Sequence, residues 1–356
     1  MALPSHGSNP HYLYESLNLS QPEQFIDFSA NLNPFGPPPA LKEKWREAYE
    51  LITTYPDPNA STLTSKLATQ CHVEENQLLI GNGGAELITL VGRFLAGKRV
   101  CIVQPAFSEY EAACRSAGCD VIDHTLKEGE WHLNPEHLIE KMDHLDAIFL
   151  CTPNNPTGVV YERDSIMALL RESEKRNCFL ILDEAFVDFL SDDATYAQAI
   201  PTFSKLIILR SLTKMYAIPG LRLGYMIAQA DVISAIKALQ PHWSVNALAL
   251  MAGELCFKQE DHVTKTRELI EQERRKLHQF FKENNYIHST SSVNFYLLKD
   301  SDLDDQTPLL RFLMKSGIVP RHTENFPGLD GRWLRFAIRT QDENRELMEV
   351  LRKWRR

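Results

Sequence analysis

The stretch "RSLTKMYAIPGLRLGYM", residues 210–226, places Lys214 in a short polar turn just after the apolar run "LIIL". Ser211 and Thr213 come before it, and Arg222 follows beyond a Pro-Gly pair. A solvated lysine needs no such frame. A lysine at the end of a strand can form a Schiff base with an aldehyde. "LILDEAF" puts Asp183 directly after another apolar run, where a carboxylate seldom sits without a partner. A protonated pyridine nitrogen is one such partner; a helix cap or a structural ion pair is the plainer one. "CTPNNPTG" sets Asn154 and Asn155 between two prolines, a backbone stiff enough to aim an amide at one point. "IGNGGAEL" has three glycines between an apolar run and a helix-like segment. Free N–H groups at a helix N-terminus bind phosphate, although this spacing matches neither the dinucleotide nor the P-loop pattern. Arg222 would add a charged donor to the same anion. Together these residues could hold a phosphorylated aldehyde cofactor by its aldehyde, its ring nitrogen, its ring oxygen and its phosphate.

They act together only if the chain brings them to one place. Between about residues 78 and 229, the runs "QLLIGNG", "RVCIVQP", "AIFLCTP", "FLILDEAF", "LIILRS" and "RLGYMIA" alternate with helix-like stretches. Short apolar runs in that rhythm predict buried strands of a largely parallel sheet with crossover helices. Asn82, Gln104, Asn154, Asp183 and Ser211 then fall at strand ends, where open α/β sheets bind ligands. After about residue 243 a mostly helical stretch precedes the strand candidates "VNFYLLK" and "RWLRFAIR". "TPLLRFLMKSG" lies between them as a helix, with Thr307 as N-cap, and "QDENRELMEVLRKW" closes the chain as another. The Pro-rich "NLNPFGPPPA" suits neither a helix interior nor a central strand and reads as an extended arm. The expected division is an arm over 1–40, a large α/β domain over 41–242 and a small α+β domain over 243–356.

Composition removes several classes. Hydrophobic residues make up 44% and charged residues 24% of 356, as in an ordinary soluble protein. No apolar run approaches the roughly 18–20 residues that cross a bilayer. The opening residues lack a basic segment followed by an apolar one, so no signal peptide is expected. Seven cysteines without a CxxC pair or a ligand cluster fit buried, reduced thiols in a cytoplasmic protein, with no metal site. A net charge of −9 without a long basic block argues against nucleic acid as a partner.

In their order and spacing, "GNGGAE", "NNPTG", "DEAF" and "SLTKMYAIPGLRLGY" resemble the fold-type I pyridoxal-phosphate enzymes, in the class II aminotransferase branch. The likeness spans essentially the whole chain, and S-x-T-K-x-x-x-x-P-G-x-R-x-G is a highly specific pattern. It implies an α/β fold, a mostly parallel sheet between helices with a smaller C-terminal α+β domain. It also implies pyridoxal 5′-phosphate bound covalently to Lys214. Arg222, Ser211, Thr213 and the backbone of Gly84 and Ala85 would hold its phosphate turn. Asp183 would face the ring nitrogen, Asn155 the ring oxygen, and Phe107 the ring face. Tyr55 in "TYPDP" would reach the phosphate of a second copy, making a homodimer with shared sites. Phe186 departs from the pattern, since relatives often carry a tyrosine there.

The nearest members of that branch act on amino compounds carrying a phosphate monoester, so a phosphorylated amino acid is the implied substrate. Its second anion cup would draw on Arg321, Arg335 and Arg339. Arg335 and Arg339 lie four apart on an alternating segment and are expected to share a face. By resemblance Arg335 holds the substrate carboxylate and Arg321 the phosphate. His6, Gly7, Asn31 and Gly36 in the arm, with Asn155, are the remaining substrate contacts; Ser8 stands where relatives have a second glycine. By resemblance, decarboxylation of that amino acid is the expected reaction, with transamination and a fold retained without turnover as the alternatives.

Overall fold

The computed structural model describes residues 3–355. Its centre is a seven-stranded sheet, flanked in the chain by shorter pairings. After a two-residue strand β1 (Ile26–Asp27) come β2 (Leu78–Gly81), β3 (Arg99–Gln104), β4 (Asp120–Thr125) and β5 (Ala147–Cys151). β6 (Phe179–Asp183), β7 (Leu206–Ser211) and β8 (Gly224–Ala228) complete the sheet, in the order β2-β8-β7-β6-β5-β3-β4. Only β8 runs against the rest, antiparallel to β7 on one side and β2 on the other. β5, β2 and β8 are buried along their whole length, as strands covered on both faces must be. β4 escapes the sequence reading because "DVIDHT" alternates with charge, which suits the edge it occupies.

A second sheet holds β9 (Tyr286–His288), β10 (Phe295–Asp300), β12 (Arg321–His322) and β13 (Leu334–Ala337), all antiparallel. β11 (Ile318–Val319) pairs in parallel with β1, tying the start of the chain to its C-terminal third. The helical stretch after residue 243 is two helices, Ala247–Cys256 and Glu260–Glu283. The closing helix spans Gln341–Trp354 behind a capping box of Thr340 and Glu343. At Thr307–Lys315 the expected cap moves by one residue. Thr307 is the first helical residue and Gln306 precedes it, while the Asp305 carboxylate accepts from the Thr307 N–H and hydroxyl.

The arm is less extended than its prolines imply. It carries a helix at Pro10–Ser16, and Pro39 opens another at Pro39–Lys44, where its missing N–H costs nothing. All seven cysteines are buried and unpaired. Among the described residues, no helix is long and apolar enough to cross a membrane.

Candidate active site

Six strands of the central sheet end on one side, and a cavity of about 250 Å³ opens there. Lys214 rises from a one-turn helix, Leu212–Met215, directly after β7. Burial pulls its amine down to about 8, and Arg335 and Arg222 push the same way, against Asp183. A substantial neutral fraction at ordinary pH is what a nucleophilic lysine needs. The Ser211 and Thr213 hydroxyls lie 2.8 Å apart on the cavity wall.

Asp183, the last residue of β6, lies in the same cavity. Its Oδ1 accepts from the Ala185 N–H at 2.9 Å and its Oδ2 from the Tyr110 hydroxyl at 2.5 Å. Burial pushes the carboxyl up, while both donors and Lys214 pull it down. Phe107 lines the cavity with its ring edge-on to Tyr110. Asn154 is fully buried and spends its side chain on Pro105 and Thr157. Asn155 instead reaches the cavity, and its Oδ1 accepts from Arg335 Nη1 at 2.5 Å.

The helix Gly83–Phe94 opens onto the cavity through Gly84 and Ala85. Two glycines let this turn exist. Gly83 has φ +77°, and a Cβ there would stand 2.7 Å from Arg222 Nη2. A Cβ on Gly224 would lie 2.7 Å from the Arg210 carbonyl and 3.2 Å from the Gly84 nitrogen. The helix N-terminus and the Arg222 guanidinium are thereby pressed together, forming an anion cup.

The far wall holds two more arginines. Arg321 and Arg335 lie directly opposite on β12 and β13. Both are buried and both line the cavity. Arg335 donates to Asn155 and the Ser29 carbonyl, while its Nε has no partner. Arg321 donates to the carbonyls of His322 and Ser5 and to Asn325 Oδ1. Burial and the neighbouring guanidinium lower Arg335 to about 9, and burial lowers Arg321 to about 10. Like charges facing each other across a strand pair are unfavourable. Among the described residues neither arginine has a carboxylate partner, so the pair is poised for an anion from outside.

The arm supplies the rim. His6 lines the cavity, its Nε2 3.0 Å from Glu109 and its ring 5.9 Å from that of Phe107. Gly7 passes so close to residue 29 that a Cβ would stand 2.8 Å from the Ser29 carbonyl. Asn31 is buried, its Oδ1 unpartnered. Sequence reasoning overlooked Asn33, whose backbone N–H donates to the Lys214 carbonyl and whose amide donates to the Met215 carbonyl and Thr266. It also overlooked Tyr110, though "PAFSEY" contains it, because nothing local says where a tyrosine hydroxyl points.

Three expected contacts are not in this cavity. Arg339 does not share the face of Arg335, because β13 ends at Ala337; its guanidinium pairs with Glu343 at 2.8 Å. Gly36 forms a turn at φ +76° outside the cavity lining. Tyr55 is 83% exposed, beside Trp243 and away from this chain's own cavity.

The model of the aminotransferase class I and II family matches residues 23–351. The chain belongs to that family. It is 37% identical over 350 residues to the threonine-phosphate decarboxylase of Salmonella typhimurium, covering 98% of this chain and 96% of that one. A solved L-threonine-O-3-phosphate decarboxylase from Porphyromonas gingivalis superposes at a TM-score of 0.81, with 26% identity over 92% of this chain and 98% of that one. A histidinol-phosphate aminotransferase from Clostridium acetobutylicum superposes at 0.87, with 28% identity and the same coverage.

The aminotransferase-family cofactor is pyridoxal phosphate, and this cavity fits it. A lysine with a lowered amine, a buried carboxylate, an open helix N-terminus beside Arg222 and an aromatic wall surround one space. The Gly83 and Gly224 contacts leave no room for a side chain where the phosphate cup narrows.

Proposed function

We propose that this chain decarboxylates O-phospho-L-threonine to (R)-1-amino-2-propanol phosphate and CO₂, in the cytoplasm, for cobalamin biosynthesis. The observation that carries this reading is the buried, carboxylate-free arginine pair, Arg321 and Arg335, facing Lys214 across the cavity. A substrate with both a carboxylate and a phosphate monoester offers two anions for two guanidinium groups. The named decarboxylase relative at 37% identity supports the same choice.

Pyridoxal phosphate, when bound, supplies the electron sink for the pair released as the Cα–carboxylate bond breaks. The chain supplies the rest. Lys214 would carry the cofactor, Asp183 would face its ring nitrogen, and Asn155 would offer its amide hydrogens to the ring oxygen. Phe107 would supply the aromatic wall beside it. Gly84, Ala85, Ser211, Thr213 and Arg222 take the cofactor phosphate. Arg335 grips the substrate carboxylate and Arg321 the substrate phosphate, with His6, Gly7 and Asn31 closing the rim. Holding both anions fixes the rotation about Cα, so that the carboxylate bond stands where its electrons can leave. Once the substrate amine has taken its place on the cofactor, the freed Lys214 amine would be the acid placed to give Cα a proton where the carboxylate left.

A second reading, histidinol-phosphate aminotransferase, is favoured by the 0.87 superposition on such an enzyme. Purified protein incubated with O-phospho-L-threonine and assayed for CO₂ separates the two. CO₂ release without 2-oxoglutarate is expected. No CO₂, together with 2-oxoglutarate consumption in the presence of histidinol phosphate, would overturn the decarboxylase reading.

We also propose that the working unit is a homodimer in which Tyr55 reaches the phosphate cup of the other copy. Trp45, Tyr49, Ile52, Tyr55 and Trp243 are all exposed large hydrophobics, a surface that suits burial against a partner.

A further inference from the structure

Tyr110 is buried to 1% exposure between two aromatic neighbours. Phe149 stacks on it at 5.2 Å between centroids, with 22° between the planes. Phe107, the cavity-wall aromatic, meets it edge-on at 6.0 Å and 86°. The ring is therefore clamped, and its hydroxyl has one place to go. It donates to Asp183 Oδ2. The Ala185 N–H donates to the other carboxylate oxygen, so both are held.

We infer that Tyr110 is a positioning residue: it fixes the Asp183 carboxylate toward the ring nitrogen of the cofactor and couples that contact to the Phe107 wall. The inference rests on the proposed role of Asp183. Its chemistry is simple. A buried carboxylate stays ionised only if donors replace the water it has lost. A neutral phenol is a donor that burial cannot strip of its proton, since burial drives its pKa well up. Hydrogen bonds to charged acceptors are the strong ones, and the clamp makes this one directional. The helix Glu109–Ser116, on which Tyr110 sits in the first turn, begins two residues after Phe107, so one backbone segment sets both the wall and the carboxylate.

Cofactor binding to the apoprotein provides the test, using pyridoxal phosphate and an analogue with carbon in place of the ring nitrogen. The wild type is expected to prefer the natural cofactor strongly. Tyr110→Phe keeps both ring contacts and removes only the donor. It should weaken natural cofactor binding about tenfold, the effect of roughly 1.4 kcal/mol, and leave analogue binding nearly unchanged. Tyr110→His, which retains an N–H donor, should recover part of the preference. Asp183→Asn is the companion. If it does not reduce the preference, Asp183 is not the ring-nitrogen partner and the underlying reading fails. If it does while Tyr110→Phe leaves the preference at the wild-type value, or weakens both ligands equally, the inference about Tyr110 is wrong and the tyrosine is a packing residue only.

Discussion

The Lys214 amine is the group whose environment is most fully specified. Its lowered value, about 8, comes from burial first and from Arg335 and Arg222 next. An amine lowered in the folded protein binds fewer protons there than in the unfolded chain between about pH 8 and its ordinary range. Apoprotein stability should therefore rise with pH through that window as far as this group is concerned. Covalent capture of pyridoxal phosphate by apoprotein should accelerate as pH rises through about 8. Stopped-flow absorbance would follow it, and borohydride fixation with peptide mapping should put the adduct on Lys214. An adduct on another lysine would sink the assignment. The arginines give a second expectation. Arg321→Ala should raise KM for O-phosphothreonine about ten- to a hundredfold, since charge-assisted hydrogen bonds contribute roughly 1.5–3 kcal/mol each. Arg335→Ala should instead depress kcat, because a loosely held carboxylate loses its orientation. If Arg321→Ala discriminates phosphothreonine from threonine as well as the wild type does, Arg321 does not read the phosphate. Motif residues such as Lys214, Asp183 and Arg222 were legible because each belongs to a short segment with its own turn chemistry. The opposition of Arg321 and Arg335 was not legible, because it depends on the register of two strands. Arg339 was misplaced for a related reason: alternation ended with the strand at Ala337.

At the scale of elements, chain crossings set the shape of the site. β8 passes beneath the Gly84 turn with no side chain at Gly224, and β1 carries the arm across to β11. The six apolar runs foretold six strands of the large sheet, because buried strands declare themselves by continuous hydrophobicity. The one- and two-turn pieces of the arm did not declare themselves, since their stability comes from packing against distant segments. The Tyr14 hydroxyl, for one, donates to the Met314 carbonyl. The arm's final approach to the cavity depends on Gly7. Next to it, Ser8 adopts φ +71°, the left-handed region that glycine enters more easily, and its N–H donates to Ser29 Oγ. Gly7→Ala would drive a Cβ into the Ser29 carbonyl and lift the arm. Overpacking of this kind costs about 1–3 kcal/mol, so KM for O-phosphothreonine should rise about tenfold or more. The melting temperature should fall by only a few degrees, because a cost of that size is small against the unfolding entropy of a chain this long. Steady-state kinetics beside a thermal melt would check both, and an unchanged KM would remove the arm from the site.

The whole molecule has two features that no single element explains. It carries a net charge of −9, yet Lys214, Arg222, Arg321 and Arg335 converge on one cavity. A cationic cleft in an anionic protein concentrates its field inward, which suits a small dianion better than a polyanion. The second feature is an apolar surface without a partner in one chain. Tyr55 is 83% exposed, its ring tilted against that of Trp243, with Trp45, Tyr49 and Ile52 exposed as well. Such surfaces on soluble chains mark interfaces. If the interface lends Tyr55 to the neighbouring phosphate cup, two different defects should complement. Lys214→Ala removes the nucleophile from one subunit's own cavity. Tyr55→Phe removes a hydroxyl from the other subunit's cavity. A hybrid of the two then contains one site with both groups intact and one with neither. Mixing the variants under conditions that exchange subunits should raise CO₂ release per Lys214-bearing chain above that of the Tyr55→Phe protein alone. If Tyr55 serves its own chain, the hybrid's only lysine-bearing site still lacks the hydroxyl, and mixing changes nothing. Sedimentation at assay concentration supplies the companion measurement, and a fully active monomer would remove the shared site altogether.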